Sequence, residues 1–425
     1  MKWCVILLPA VWWMLVGPTA PASAEEPVRV PAQVDTGLAG GFVGGGGSVD
    51  GGGPALTWES ALFAGTSNMF LNVTVPIVIT TDGVLPRTWD GARDFAHALR
   101  VLSYRGESDD LTFSLFLGEE TLLGEDGVAR HLRPQVWIEN PSTLLSLQVR
   151  RRPVTLRLRL LDVTEPRVGT VAVTVDWPPR WRLQALWWGV SQLPVTVADG
   201  LGVVAVDEAR GVVLPAETRW FSAQSLGVER EFSPFLARVQ LTNLDVRDPA
   251  ATGGLLAFGT AFPWRSMSFL LEAGVGGDHW VPWPLGPFFL VREVTADLRS
   301  LGSGRTLSQR IGQRDRPGWG ALVQGGLELD EHLTLRAGAF ATPLERTVDG
   351  AVDAFLGRRF LLSAHGAWDT LARAWTFSVE TRFSFNRHWF LWGRAASQFV
   401  LDAQTPEIGR IDLVMLGVGI RTRLE

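Results

Sequence analysis

The chain has 425 residues, is 46% hydrophobic and 20% charged, and carries a formal net charge of -5. This apolar fraction excludes a wholly disordered chain, and the lack of a basic excess or basic run argues against a nucleic-acid partner. The only lysine is Lys2, which excludes P-loop and Schiff-base lysines from the rest of the chain.

Residues 1–24 have the features of a secretion signal. Lys2 supplies a positive charge, residues 5–17 are apolar, and Ala22-Ser23-Ala24 matches the small-x-small pattern of a signal-peptidase site. The apolar run is shorter than the roughly 20 residues that a helix needs to cross a bilayer. We therefore expect export with cleavage after Ala24, and a retained membrane anchor is the alternative. Cleavage would remove Cys4, the only cysteine.

Residues 25–55 are rich in glycine, with the runs Gly44-Gly45-Gly46-Gly47 and Gly51-Gly52-Gly53. The favoured interpretation is a flexible N-terminal segment or long first turn that precedes the main domain, which would then cover residues 56–425. The alternative is a first strand whose glycines let another group pack closely against it.

Apolar and polar residues then alternate with a period of two along the rest of the chain. Residues 154–160 place four aliphatic side chains on one face and Thr155, Arg157 and Arg159 on the other. The same sorting is clear in 145–150, 170–176, 235–242, 332–337, 375–385 and the last segment. It is weaker in 70–79, 95–104, 111–117, 182–188, 255–262, 267–275, 286–298, 319–329, 352–362 and 389–400.

This pattern predicts an all-β fold. Segments of about ten alternating residues, divided by turn signals such as Asp82-Gly83 and Asp349-Gly350, are typical of transmembrane barrels. No segment after the signal has enough uninterrupted apolar residues for a membrane helix, and only helices and closed barrels satisfy every backbone group in lipid. We predict a transmembrane antiparallel up-and-down β-barrel of 16 or 18 strands. A soluble β-sandwich shows similar alternation and is the alternative.

Charged residues on the polar faces of these strands are the candidates for lining the lumen. Arginine dominates the set, which predicts a lumen that selects solutes by charge, anions first. The alternative is that Arg–Glu pairs across strands brace the wall or fill a closed interior. The candidates are Arg150, Arg157, Arg159, Arg182, Arg238, Glu272, Glu328, Arg336, Glu380, Arg382 and Arg394.

Tryptophans cluster at the ends of the alternating runs, where a barrel carries girdles of aromatic residues at the membrane interface. The stretch 280–289, WVPWPLGPFF, is expected to form a rigid loop or lid outside the barrel wall. The interface candidates are Trp187, Trp188, Trp280, Trp283, Trp319, Trp375, Trp389 and Trp392.

Motifs for metal binding and catalysis are missing from the sequence. No two histidines have the i, i+4 spacing, no HExxH occurs, and acidic clusters such as Asp109-Asp110 match no calcium loop. No GxSxG is present, so a Ser-His-acid set would have to assemble through space. We expect no cofactor, no metal and no enzyme activity, with a membrane-embedded hydrolase as a minor alternative.

The whole chain after residue 24 resembles Gram-negative outer-membrane β-barrels. The segment 100–131 is similar to a stretch in porin-like barrels of high-GC bacteria, with Tyr104-Arg105-Gly106 leading a strand and Thr121-Leu122-Leu123-Gly124 in the following turn. The chain departs from the family at its end, where Arg423-Leu424-Glu425 replaces the usual terminal aromatic that the barrel-assembly machinery reads.

This resemblance implies an outer-membrane location, with membrane lipid and the assembly machinery as partners. The expected function is a porin-like channel or transporter for small solutes. A closed barrel that acts through its loops and a soluble secreted β-protein are the other hypotheses. The sequence leaves the oligomeric state open.

Overall fold

The computed structural model describes the barrel strands and most of the short turns that join them. The described residues are 29–46, 53–66, 68–80, 83–85, 98–108, 110–118, 123–125, 130–132, 143–161, 163, 168–177, 180–194, 205–207, 212–214, 218–232, 234–245, 248–262, 267–283, 318–329, 333–342, 346–356, 359–369, 374–402 and 407–424. The expected signal at 1–24 and the run 286–298 lie outside these residues.

These residues form 25 strands and one short 3-10 helix at Pro249–Ala251. In chain order the strands are β1 Arg29–Gly46, β2 Gly53–Thr66, β3 Met69–Thr80, β4 Gly83–Leu85, β5 Leu99–Glu107, β6 Leu111–Gly118, β7 Leu123–Glu125, β8 Arg130–Leu132, β9 Leu144–Arg151, β10 Val154–Leu161, β11 Val168–Trp177, β12 Trp181–Pro194, β13 Ala205–Asp207, β14 Val212–Leu214, β15 Thr218–Phe232, β16 Phe235–Asn243, β17 Thr252–Phe262, β18 Met267–Gly276, β19 Trp319–Leu329, β20 Leu333–Ala341, β21 Arg346–Leu356, β22 Phe360–Asp369, β23 Ala374–Ser384, β24 Trp389–Asp402 and β25 Glu407–Leu424.

Twenty of these strands close into one antiparallel barrel. Each barrel strand pairs with the next barrel strand along the chain, and β1 also pairs with β25, from Ala32 opposite Leu424 to Gly46 opposite Arg410. The short strands β4, β7, β8, β13 and β14 belong to hairpins in the connections. The predicted all-β, antiparallel up-and-down barrel is confirmed.

The expected strand number of 16 or 18 is wrong. Strands β1, β2 and β15 contain none of the predicted alternating runs. In addition, the single run predicted at 352–362 covers parts of two strands, β21 and β22. The two-residue period is hard to recognise in β1 and β2. One face of each strand is mostly glycine, alanine and threonine, so the two faces differ little in hydrophobicity. In β15, apolar residues stand on both faces.

Residues 29–46 and 53–55 of the glycine-rich segment belong to the barrel, contrary to the favoured interpretation. Strand β1 consists of residues 29–46, so the barrel begins before residue 56. Glycine suits this strand because its interior neighbours come close. A Cβ at Gly37 would lie 2.6 Å from Nε1 of Trp392, and a Cβ at Gly41 would meet the backbone and side chain of Met415.

The two rims of the barrel carry connections of different length. One rim, here called the short-turn rim, carries 67–68, 108–110, 152–153, 178–180, 233–234, 263–266, 330–332, 357–359 and 385–388. The opposite long-loop rim carries 47–52, 81–98, 119–143, 162–167, 195–217, 244–251, 277–318, 342–345, 370–373 and 403–406. The start of β1 and the end of β25 both lie at the short-turn rim.

The outer surface of the barrel is a continuous apolar belt. Large hydrophobic side chains on the outward faces are exposed, with Val275 at 70%, Leu416 at 68% and Leu226 at 63%. Soluble monomers rarely expose apolar patches wider than a few hundred Å². No helix in the described part of the chain is long and apolar enough to cross a membrane.

A buried ion cluster holds the closing strands together on the inner face. Asp35 of β1 is 4% exposed and accepts hydrogen bonds from Arg382 of β23 and, at 3.2 Å, from Nε of Arg421 of β25. The Arg382 guanidinium also lies 3.8 Å from the ring centroid of Phe390. The cluster therefore ties β1, β23 and β25 to one another across the closure of the barrel.

Replacing Asp35 should weaken the closure. In Asp35→Asn, two arginines lose their shared carboxylate in a poorly solvated place, and losing one partner of a buried pair typically costs about 3–5 kcal/mol. We expect a clear fall in the temperature at which the folded barrel loses its fast electrophoretic migration.

Glu107→Gln is the matched control for Asp35→Asn. The Arg105–Glu107 pair is 3.3 Å long and both side chains are about two-thirds exposed, at 67% and 65%. Such exposed pairs contribute at most about 1 kcal/mol. Equal losses in the two variants would contradict the role given to Asp35.

Candidate functional site: an arginine-rich cavity inside the barrel

The described residues line a cavity of about 530 Å³ between facing walls of the barrel. Strands β9 to β12 form one wall, β19 to β21 form another, and β15 and β16 contribute Glu229 and Arg238. Six arginines line it against three carboxylates. The arginines are Arg150, Arg157, Arg159, Arg182, Arg238 and Arg336, and the acids are Asp176, Glu229 and Asp349.

Strand geometry explains why these residues share the cavity. Adjacent strands pair Arg157 with Gln148 and Ala172, and pair Arg182 with Asp176 and Glu229. Directly paired residues point to the same face of a sheet. The two-residue period of each strand therefore continues sideways as rows of polar side chains on the inner wall.

Near the short-turn rim, the arginines are bound in a chain of ion pairs. Nη2 of Arg150 lies 3.4 Å from Asp176, and Nε of Arg182 lies 3.1 Å from the same carboxylate. Nη1 of Arg182 lies 2.8 Å from Glu229. This part of the wall is braced by its charges, as the cross-strand alternative proposed.

Further along the barrel, Arg157, Arg159 and Arg336 continue the lining. Nε of Arg157 donates to the neutral amide oxygen of Gln148 at 2.9 Å, and the Arg157 side chain is exposed to the cavity. Nε of Arg159 is buried with no hydrogen-bond partner among the described residues. Arg336 faces them from the opposite wall and is exposed. Three of the six arginines of the lining therefore lie in this part of the cavity.

The remaining lumen candidates lie on inner faces but outside this cavity. Glu272 is buried and accepts a hydrogen bond from Nη2 of Arg238 at 2.9 Å, so this pair braces the wall. Glu328 is exposed on the same face of β19 as Gln324. On the far wall, Glu380 pairs in register with Arg394, and Arg382 belongs to the Asp35 cluster.

An aromatic segment occupies part of the interior at the long-loop end. After β18 the chain turns inward, and Trp280 and Trp283 are both fully buried. They share one apolar cluster with Leu186 and Trp188, which also line the cavity. The expectation of a loop outside the wall is therefore wrong for residues 280–283, and residues 284–289 lie outside the described residues.

Inward-facing glycines make room for the two tryptophans. A Cβ at Gly253 would collide with the Trp280 ring, and a Cβ at Gly276 would lie 2.5 Å from it. A Cβ at Gly320 would lie 2.8 Å from the Trp283 ring. The backbone of β17, β18 and β19 thus forms a smooth pocket that fits this segment.

Half of the predicted interface tryptophans face the interior. Trp188, Trp280 and Trp283 are 3% exposed or less, and Trp392 packs against a cluster around Met415. Trp187 faces outward and stacks on Trp220 with centroids 6.0 Å apart. Trp319, Trp375 and Trp389 are about half exposed on the outer face. Because side chains alternate, neighbours such as Trp187 and Trp188 must face opposite sides.

A polar contact at the long-loop rim fastens the aromatic segment. Nδ1 of His279 lies 2.5 Å from the Asp248 carboxylate, which also accepts a hydrogen bond from the amide of Ala250 at 2.9 Å. The hydrogen bond from His279 lowers the pKa of Asp248 below its usual value. The backbone amide of His279 donates to the Ala250 carbonyl at 3.2 Å.

Several residues that line the cavity are not among the lumen candidates of the sequence. Gln148, Thr170, Gln184, Glu229 and Asp349 line it beside the arginines. The face to which Gln148 and Thr170 belong was identified, but uncharged polar residues carry no signal that separates lining from solvated surface. Glu229 belongs to β15, a strand that the alternation does not predict. Asp349 is part of a predicted turn, Asp349-Gly350.

A single methyl group should displace the aromatic segment. In Gly253→Ala the new Cβ meets the Trp280 ring, whereas in Gly254→Ala it faces outward, where the nearest atom is 4.0 Å away. Val281 is 1% exposed, so Val281→Cys in a Cys4→Ser background reports the docking of the segment through its reaction with a maleimide. We expect labelling to be at least about tenfold faster with Gly253→Ala than with Gly254→Ala, because opening exposes a buried thiol. Equal rates would show that the glycine pocket does not hold the segment.

Acid should loosen the same segment through Asp248. A depressed pKa means that ionised Asp248 stabilises the folded state above the unfolded value of about 3.9, and that this contribution is lost as pH falls through the depressed pKa. The melting temperature of the protein should exceed that of Asp248→Asn at neutral pH, and the two should converge in acid. The exposed neighbour Asp278 gives the control variant, Asp278→Asn. For this variant we expect no pH-dependent difference in melting temperature from the unchanged protein. A difference that persists in strong acid would contradict the ionic contribution.

No protein-family model matches the sequence, and no curated protein matches it either. Solved structures of porins and related proteins are similar at low levels. OpdO of Pseudomonas aeruginosa has a TM-score of 0.35 and 10% identity, covering 94% of this chain and 98% of that chain. OpdK of the same organism, solved with vanillate, has a TM-score of 0.34 and 10% identity over 92% and 99%. A variant of the Rh. blastica porin has a TM-score of 0.30 and 8% identity over 92% and 100%.

Proposed function

We propose that this protein is an outer-membrane channel or transporter of the porin type that passes small solutes and prefers anions. The observation that carries this proposal is the excess of arginine over carboxylate in the interior cavity, six residues against three. A charged lining in a confined space selects permeating ions by sign. Arg157 and Arg159 are two of these six arginines, and both lie on the polar face of β10.

The outer surface supports the membrane location. A closed barrel has no unpaired strand edge, and an apolar belt around it matches the hydrocarbon of a bilayer. The apolar signal at residues 1–24 fits export before insertion. Outer-membrane barrels have short periplasmic turns and longer extracellular loops, so the short-turn rim is assigned to the periplasm.

A closed barrel is the second candidate, and the aromatic segment favours it. Trp280 and Trp283 fill part of the interior at the long-loop end and pack against cavity residues. A plugged barrel would fold and resist heat but would carry no steady current. The same measurement therefore separates the two candidates.

The test is single-channel recording in a planar bilayer with a salt gradient. We expect steady conductance and a reversal potential whose sign shows that anions permeate more readily than cations. In Arg157→Ser/Arg159→Ser, the anion-to-cation permeability ratio should fall by about threefold, since two charges leave the pore.

The control variant removes two arginines from turns of the short-turn rim. Arg359 and Arg387 are exposed and lie outside the cavity lining, so Arg359→Ser/Arg387→Ser should keep the original selectivity. A folded protein that never conducts would overturn the channel, and unchanged selectivity in the first variant would remove Arg157 and Arg159 from the selective lining.

A further inference from the structure

The outer surface at the short-turn rim carries basic and aromatic side chains in one continuous arc. Backbone hydrogen bonds join its parts: the amide of Asp176 donates to the Pro153 carbonyl at 2.8 Å, and the amide of Glu231 donates to the Arg180 carbonyl at 3.0 Å. These contacts place three exposed arginines along one stretch of the rim, namely Arg152, Arg180 and Arg230.

Arg230 lies on the lipid-facing side of its strand. It pairs in register with Trp181, while its neighbour Glu229 points into the cavity. The Arg230 guanidinium lies 4.7 Å from the Trp181 ring centroid and 4.6 Å from that of Phe232. Two aromatic rings therefore hold the cation in place without neutralising its charge.

Arg180 lies beside this site in an uncommon backbone conformation. Its φ is 68°, in the left-handed region that glycine and asparagine favour, and its side chain is exposed. Glycine would fit this turn at a lower conformational cost. The arginine is therefore explained better by the use of its side chain than by the geometry of the turn.

Apolar side chains continue the site toward the middle of the barrel. Leu183 and Val228 pair directly and are 41% and 40% exposed on the outer face. Trp177, at 62% exposed, flanks Trp181. Both acids next to Arg230 along the strand, Glu229 and Glu231, belong to the opposite face. A ligand here meets cations at the rim and aliphatic surface beyond them.

We propose that this surface binds an anionic glycerophospholipid, with its phosphodiester between Arg180 and Arg230 and its acyl chains along Leu183 and Val228. Guanidinium groups pair well with phosphate oxygens, and aromatic side chains settle at the headgroup level of a membrane. The site rests on the proposed membrane location and not on conductance. It faces the leaflet on the short-turn side.

The test uses the full-length protein purified in detergent and native mass spectrometry. The probes are phosphatidylglycerol and phosphatidylcholine with identical acyl chains. We expect phosphatidylglycerol to be retained more strongly, and its affinity to fall about tenfold in Arg180→Gly/Arg230→Gln, because each basic residue near a membrane surface adds to the attraction of anionic lipid. Arg180→Gly suits the positive φ, so this change should not disturb folding.

Arg359→Gln/Arg387→Gln is the matched control, since it removes two exposed arginines from other turns of the same rim. Equal loss in the control, equal retention of the two lipids by the unchanged protein, or unaltered affinity in the double variant would each overturn the site. Displacement by an equimolar amount of inorganic phosphate would reduce it to a phosphate site and overturn the lipid assignment.

Conductance of the same variants in a neutral bilayer separates this proposal from the proposed channel. A current that persists while lipid selectivity is lost supports the lipid site and leaves the channel intact. Selective lipid retention by a barrel that never conducts supports the lipid site and overturns the channel alone.

Discussion

Backbone hydrogen bonding around a closed ring is the constraint on which this structure depends. A strand in lipid has no water to satisfy its amides and carbonyls, so every strand needs a partner on both sides. Here the last partner is β1, which pairs with β2 and with β25. Once the ring is closed, the alternation of each strand places one face on the outside of the barrel and the other in the interior. The cavity and the apolar belt both follow from that division.

The interior has two chemically different ends. Ion pairs such as Arg182 with Glu229 line the short-turn end, while Trp280 and Trp283 fill the long-loop end. Between these two ends, Arg157 and Arg159 lie across from β19 to β21, whose part of the lining contains one carboxylate, that of Asp349. In the proposed channel, the excess of arginine over carboxylate in the lining sets the sign of the potential, and the aromatic segment limits the space at the long-loop end.

Much of the fold could be predicted from the sequence, because a two-residue period is a local property. It placed Thr376, Glu380 and Arg382 on one face of β23 and Phe377 on the other, as the register shows. It failed for β1, where glycine removes the contrast between faces. It also failed for Trp280, because the position of a loop depends on the shape of distant strands. The inward glycines that receive Trp280 lie on β17 and β18, and the sequence does not show that Gly253 and Gly276 come together around its ring.

The pairing of β1 with β25 also sets the order of events in folding. Residues 32 and 424 are partners, so the ring can close only after nearly the whole chain has been made. Until then, the first strand has a free edge, which in most sequences would invite pairing with other chains. Glycine is a poor strand former and has no side chain to reinforce a wrong pairing. A glycine-rich first strand therefore carries less risk of aggregation while this edge is unpaired, and its pairing with β25 completes the barrel.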